Sequence, residues 1–331
     1  MHGLPRRLAA AALLAGLAAP FAAVAWADTP AFTVQDPAIV DVTGLTRDPA
    51  NNLYWLVQPG EEPPPEATAT PEQTWGSPTA EVPDVTSTVY GVDETGAVQA
   101  RLTFAGATPN AASLGFFSDS LYIADIADPG LDRDAVTVYG LPLTAVSGDR
   151  EVPATAFEFS YPDGPHDAAA LLIRPDGQLL FATTAPVARL YAAPLNPSPD
   201  TVNRLEVVAN LPDGITDGLY LSDDLIAVRT AAEILVLETG TYTVVATGAV
   251  ETAGEALALS LDGTTLLTAA DGAPAAIVAV DIPLTETVVD AEEPEPSPMP
   301  VSNVDRQGTL VMLVAACFMA VIAGVLAFLR R

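Results

Sequence analysis

"SDSLYIADI", residues 118–126, is a turn followed by an apolar run, and the chain carries four further versions of it. They are "NNLYWLV" at 51, "DGQLLFATT" at 176, "SDDLIAVRT" at 222 and "DGTTLLTAA" at 262. Polar, turn-forming residues lead each run, so each reads as a strand reached through a tight turn. The matching leucines are Leu53, Leu121, Leu179, Leu225 and Leu266, spaced by 68, 58, 46 and 41 residues. The first step shrinks to 43 once the 25 residues from Pro59 to Pro83, "PGEEPPPEATATPEQTWGSPTAEVP", are set aside. Their acidic, proline-rich composition predicts a disordered insertion.

A second strand follows each of these in the same order: "STVYGV" at 87, "VTVYGL" at 136, "ARLYAA" at 188, "EILVLE" at 233 and "AIVAVD" at 276. Four units then offer an outer strand, "VQARLTF", "ATAFEFS", "NRLEVVA" and "TYTVVAT", and the fifth does not. The missing strand is supplied by "AFTVQD", Ala31 to Asp36, if the N-terminal segment closes the last sheet. Four-stranded repeats of roughly 40–45 residues are the mark of a propeller, and such a closure removes the open edge where the ring meets. The expected fold is all-β, a five-bladed β-propeller, with six blades as the alternative should the region 59–110 hide a degenerate unit. A β-sandwich leaves the five-fold order unexplained.

The two ends place the propeller. Residues 1–27 combine Arg6 and Arg7, an apolar run and the small-residue site Ala25-Trp26-Ala27, the features of a cleavable signal peptide. Leu310 to Leu329 is free of charge and Arg330-Arg331 follows it, as in a single transmembrane helix over 309–329 with a cytoplasmic tail at 330–331. Between them lie the ectodomain, 28–286, and a Pro/Glu-rich stalk, 287–308. The expected location is the cell membrane, single-pass, with the propeller outside the cell.

Composition narrows the partners. All 42 Asp and Glu fall between the hydrophobic ends, against nine arginines and no lysine, so nucleic acid and anionic lipid are poor partners. The expected partner is an extracellular ligand or an envelope protein. The single cysteine, Cys317, lies in the apolar C-terminal run, which excludes a disulfide framework outside the membrane.

In a propeller the first strand of each blade lines the channel, so residues where those strands begin converge. These are Thr43 in "DVTGL", Asn110 in "PNAASL", Asp167 in "PHDAAAL", Asp217 in "ITDGLYL" and Glu255 in "AGEALAL". With Asp125 and Asp128 of "ADIADPG", the carboxylates Asp167, Asp217 and Glu255 make a candidate metal set. Calcium is the ion that takes such oxygens, and unneutralised carboxylates at one mouth would raise one another's pKa. The competing reading makes them turn and strand-cap residues of a very acidic protein. "DPGLDRD", 128–134, lacks the spacing and the downstream Glu of a calcium loop and reads as a polar loop.

His166 is the one exported histidine, and no G-x-S-x-G elbow accompanies it. A hydrogen-bonded role at the head of a strand is favoured over general-base chemistry, and a three-histidine zinc site is impossible. No catalytic residue is assigned.

The stretches "FEFSYPDGPHDAAALLIRPDGQLLFATT", "LYIADIADP", "GITDGLYLSDDLIAVRT" and "GEALALSLDGTTLLTAADG" resemble a group of secreted actinobacterial β-propeller proteins of largely undefined activity, distantly similar to phytase-like esterase propellers. The resemblance covers most of Thr43 to Pro283. That group tends to carry His-Asn-Asp where this chain has "LVQPGEE", Trp-Glu-Asp where it has "NAASL", and an acid at Ala169. The resemblance therefore implies the fold more than an enzymatic role. The expected function is a membrane-anchored binding or scaffold module, the alternative a metal-dependent hydrolase of phytase-like or lactonase-like type. A third expectation gives the acidic segment 59–83 the recruitment of a basic partner.

Overall fold

In the computed structural model, residues 30–60, 85–143, 147–184, 187–270 and 272–284 are described. The expected signal peptide, stalk, transmembrane helix and tail, and nearly all of the insertion, lie outside them. The described residues belong to one compact unit, Met1–Leu284. Among them the regular structure is entirely strand, turn and bend, as the period-2 apolar pattern requires.

Strand β1 (Pro30–Thr33) comes first. Blade 1 is β2 (Gly44–Asp48), β3 (Leu53–Val57), β4 (Thr86–Val92) and β5 (Val98–Ala105). Blade 2 holds β6 (Ala111–Phe117), β7 (Ser120–Asp125), β8 (Val136–Pro142) and β10 (Thr155–Ser160), with β9 (Gly148–Glu151) in its last connection. Blade 3 holds β11 (Ala168–Ile173), β12 (Leu179–Thr183), β13 (Arg189–Ala192) and β15 (Glu206–Asn210), with β14 (Asn203–Arg204) before the outer strand. Blade 4 is β16 (Ile215–Tyr220), β17 (Leu225–Thr230), β18 (Glu233–Glu238) and β19 (Val244–Ala249). Blade 5 is β20 (Leu257–Leu259), β21 (Thr265–Ala270) and β22 (Ala276–Asp281).

Each sheet is an antiparallel meander, and β1 completes the fifth by pairing with β22, Phe32 opposite Ile277 and Thr33 opposite Ala276. The N-terminal segment therefore closes the ring, one residue earlier than "AFTVQD" suggested and over four residues. The innermost strands β2, β6, β11, β16 and β20 each touch the next, and β20 touches β2. This circuit is what makes the fold a five-bladed β-propeller.

Packing follows from the circuit. Each of the five apolar clusters among the described residues sits at one junction between neighbouring blades. Trp55, Phe104, Leu114 and Ile123 fill the junction of blades 1 and 2; Val34, Leu56, Leu267 and Ile277 fill the one that closes the ring. Burial at about 25 cal/mol per Å² makes these junctions the main stabilising term, since the chain has a single cysteine and the described residues form no helix. The inner strands approach closely. A Cβ on Gly44 would stand 2.8 Å from the backbone of Ser113 and Leu114, so only glycine lets β2 and β6 meet.

Two features were not foreseen. Blades 1 and 2 have a fifth strand, each supplied by the next blade: β9 runs parallel on β5, and β14 parallel on β10. These segments cover edges that would otherwise present free N–H and C=O groups. The inner strands β6, β11 and β16 each carry a register shift at their start, between Ala111 and Ser113, Ala168 and Ala170, and Ile215 and Asp217. Such bulges re-aim side chains, and this one decides where Asp217 points.

Candidate functional site

The axial channel has two unlike ends. At the end where the inner strands begin, a small cavity of about 170 Å³ is lined by Asp167, Ala169, Thr184, Thr216 and Glu255, with Ala112 and Ala127 beside them. The sequence thus locates Asp167 and Glu255 at one mouth. Asp167 is committed there: its Oδ1 accepts the Asp128 N–H at 2.8 Å and its Oδ2 the Thr184 hydroxyl at 3.3 Å. Thr43, also placed at this end, is buried and donates to the Ala111 carbonyl at 2.6 Å, tying blade 1 to blade 2.

Asp217 is not at this mouth. In the frame set by the bulges it matches Ser113 and Ala170, not Asp167, and so lies one layer deeper, inside β16. It is 1% exposed. Its Oδ1 accepts from the Ser113 hydroxyl across the ring at 2.8 Å and from the Gly218 N–H at 2.9 Å, while Oδ2 accepts the Leu257 N–H at 2.7 Å. One carboxyl group thereby ties β6, β16 and β20 together at the axis. Burial pushes it up to about 8, against the pull of the Leu257, Ser113 and Gly218 donors and of Arg229. Arg229, itself buried, donates to the Thr252 carbonyl at 2.8 Å and to the Gly254 carbonyl, so it holds the loop that carries Glu255.

Asn110, Asp125 and Asp128 belong to a separate recess of about 540 Å³ on blade 2. Its centre is an arginine that the sequence reading passed over. Arg133 pairs with Asp125 Oδ2 at 2.7 Å and donates to the carbonyls of Asp125 and Ala127 at 3.0 Å. Asp125 Oδ1 accepts the Asn110 N–H at 2.7 Å. Burial raises the Asp125 carboxyl, with Arg133 and the Asn110 amide opposing it. Asp128 caps its own loop, accepting the N–H groups of Asp132 and Arg133 at 3.1 Å. The "DPGLDRD" run is therefore a self-capped turn whose arginine folds back on the acid before it.

His166 stands apart, on blade 3. Its Nε2 lies 3.0 Å from Asp163 Oδ1 and 2.9 Å from the Tyr191 hydroxyl, and its ring meets Tyr161 edge-on with centroids 5.1 Å apart. Arg189 also pairs with Asp163. Against the upward push of burial, the bonds from His166 and Tyr191 hold the Asp163 carboxyl below its usual value. No serine hydrogen-bonds to this histidine among the described residues. The cluster packs "YPDGPH" against β13.

Among the described residues no three His, Cys, Asp or Glu side chains are grouped so as to hold a metal ion. The physical reason is visible residue by residue: Asp125, Asp128, Asp167 and Asp217 already accept hydrogen bonds from a guanidinium, backbone amides or hydroxyls. A calcium ion needs those lone pairs free and convergent.

Comparison with known proteins adds fold-level likeness only. No family model matches the chain, and no curated protein does. Solved structures with similar coordinates include two candidate 6-phosphogluconolactonases. The one from Bacteroides fragilis is 16% identical with a TM-score of 0.40, covering 75% of this chain and 69% of that one. The one from Bacteroides uniformis is 15% identical with a TM-score of 0.38, covering 75% and 70%. The PQQ-bound aldose sugar dehydrogenase of Streptomyces coelicolor is 10% identical with a TM-score of 0.40, covering 75% and 97%. The propeller assignment rests on the strand order of this chain itself.

At the opposite end, where the inner strands finish in hairpins, the channel widens into an open cavity of about 340 Å³. All five inner strands contribute to its wall, with Leu45, Leu114, Leu171 and Leu257 deep and Phe116 and Tyr220 further out. The sequence reading looked for chemistry where these strands begin and missed this end. The signal was present in the alternation of "GLTRD", "AASLGFF" and "ITDGLY", whose outward-leaning large residues follow small ones.

Proposed function

We propose that this chain is an exported, membrane-anchored β-propeller that acts as a binding module, and that its ligand enters the axial cavity at the hairpin end. One observation carries the reading: a cavity of about 340 Å³, with Leu45, Leu114, Leu171 and Leu219 in its wall, is shared by all five blades, while Asp125, Asp167 and Asp217 are already bonded within the protein. Ligand sites are concave and largely apolar with a few polar groups, and a cavity of this size sits at the small end of their usual range of roughly 300–1,000 Å³. Export and anchoring are supported by the sequence of the two ends, with Arg6 and Arg7 before one apolar run and Arg330-Arg331 after the other.

Thermal shift of the full chain against small apolar and amphipathic molecules tests this. A ligand is expected to raise the melting temperature of the wild type by several degrees and to leave Leu219→Trp, which places an indole in the cavity, unmoved. Calcium-dependent hydrolysis of a phosphate or ester that survives Leu219→Trp but is lost in Asp167→Ala would instead assign the protein to the hydrolase alternative.

A further inference from the structure

The hairpin-end cavity contains a charge of the sign that is in the minority on this chain. The chain has 42 acidic residues and 13 basic ones. Four of its arginines are spent on those acids: Arg101 on Asp36, Arg133 on Asp125, Arg174 on Asp176 and Arg189 on Asp163. Arg47 is different. It projects from β2 into the cavity wall, half-buried, and makes no ion pair among the described residues.

Its surroundings leave it available. Nη1 donates to the Ser260 carbonyl at 3.0 Å, which fixes the guanidinium at the rim of the β20–β21 hairpin. Asp262, in that hairpin, is occupied locally, accepting from the Ser260 hydroxyl at 2.6 Å and from the Thr264 N–H at 3.0 Å. A guanidinium carries five N–H donors in one plane, so a single carbonyl leaves room for a two-point partner. Burial also holds Arg47 below its usual value, with Tyr54 and Asp262 acting the other way. A desolvated cation of this kind gains from an anion that reaches it.

We propose that the axial cavity binds a small organic carboxylate, its carboxyl group forked onto Arg47 and its apolar or aromatic body seated against Phe116, Ile173, Leu219 and Tyr220. This rests on the binding-module reading above and names its ligand class. Charge complementarity selects an anion in spite of the net charge of −29, which repels anions at long range. Selectivity for carboxylate over other anions comes from the planar fork, which matches two coplanar oxygens at hydrogen-bond spacing. The layer formed by Asp217 and Ser113 lies at the axis between the two ends, so the ligand reaches the hairpin end from that side.

The test is calorimetric titration of the full chain with 3-phenylpropionate, its neutral amide and 3-phenylpropylamine. The acid is expected to bind the wild type at least tenfold more tightly than the amide, and Arg47→Met, which keeps an apolar stem, should bring the two to parity. Arg47→Lys, which keeps the charge and loses the fork, should retain part of the preference; it also serves if Arg47→Met does not fold. Equal binding of acid and amide by the wild type overturns the carboxylate assignment and leaves the cavity as the binding site. Tightest binding of the amine overturns the assignment likewise. No binding of any of the three at millimolar concentration overturns the assignment and the cavity reading together.

Discussion

The two ends of one channel differ in how far their polar side chains are committed. Toward the end where the inner strands begin the carboxylates are engaged: Asp167 at the mouth with Asp128 and Thr184, Asp217 one layer deeper with Ser113, Gly218 and Leu257, and Asp125 in the neighbouring recess with Arg133 and Asn110. At the hairpin end the wall mixes leucine and aromatic side chains with polar groups, and among the described residues Arg47 has one hydrogen bond, to the Ser260 carbonyl. Buried acids in this propeller serve as struts, because a carboxylate accepting several N–H and O–H donors satisfies strand ends that have no ladder partner.

The sharpest way to break that contrast is Asp217→Ala. It would leave the Ser113 hydroxyl and the Leu257 and Gly218 amides facing an empty buried space, and should lower stability by about 3 kcal/mol in urea unfolding. A variant within about 0.5 kcal/mol of the wild type would show that the axis does not depend on this strut. Arg133→Met should cost less, about 2 kcal/mol, since only one partner is nearly dry: Asp125 is 5% exposed and Arg133 21%. Its loss should be confined to the acidic end and leave ligand binding at the hairpin end unchanged. If it abolishes that binding, the two ends are coupled and the contrast fails.

The finest test is the pH dependence of Asp217→Asn. Burial pushes the folded carboxyl up to about 8 from its ordinary value of 3.8, so the native state holds a proton that the unfolded chain releases between those values. The stability this contributes is fully present below the unfolded pKa and is lost as pH rises through the folded one. The wild type should therefore lose stability relative to Asp217→Asn as pH is raised from about 4 to about 8. Parallel curves would mean that the donors from Ser113, Leu257 and Gly218 outweigh burial and keep the group ionised.

The fold was legible to a large degree. Five turn-led leucine runs, a second strand after each and an orphan strand at "AFTVQD" led to five sheets and a closure that β1 and β22 make. The strands β9 and β14 were not legible, because four exposed residues, "GDRE", and the pair "NR" bear no apolar alternation; they pair through backbone groups with an edge remote in sequence. The site was legible only in part. Asp167 and Glu255 do share a mouth, yet Asp217 lies deeper because Asp167 precedes the register shift at the head of β11 while Asp217 follows the equivalent shift in β16, and no local pattern announces either shift.

What the sequence by itself determined is the repeat, the order of strands within it and the end that must return to close the ring, since those follow from local turn chemistry and period-2 burial along the chain. Which carboxylates remain available, and which end of the channel stays open, only the tertiary structure decided. Both depend on which groups meet in the assembled ring: a hydroxyl on β6 and an amide on β20 reach a carboxyl on β16 that looks free in one dimension, and burial there raises it. Hydrogen-bond satisfaction is a property of the assembled ring, and the sequence lists donors and acceptors without saying which of them meet.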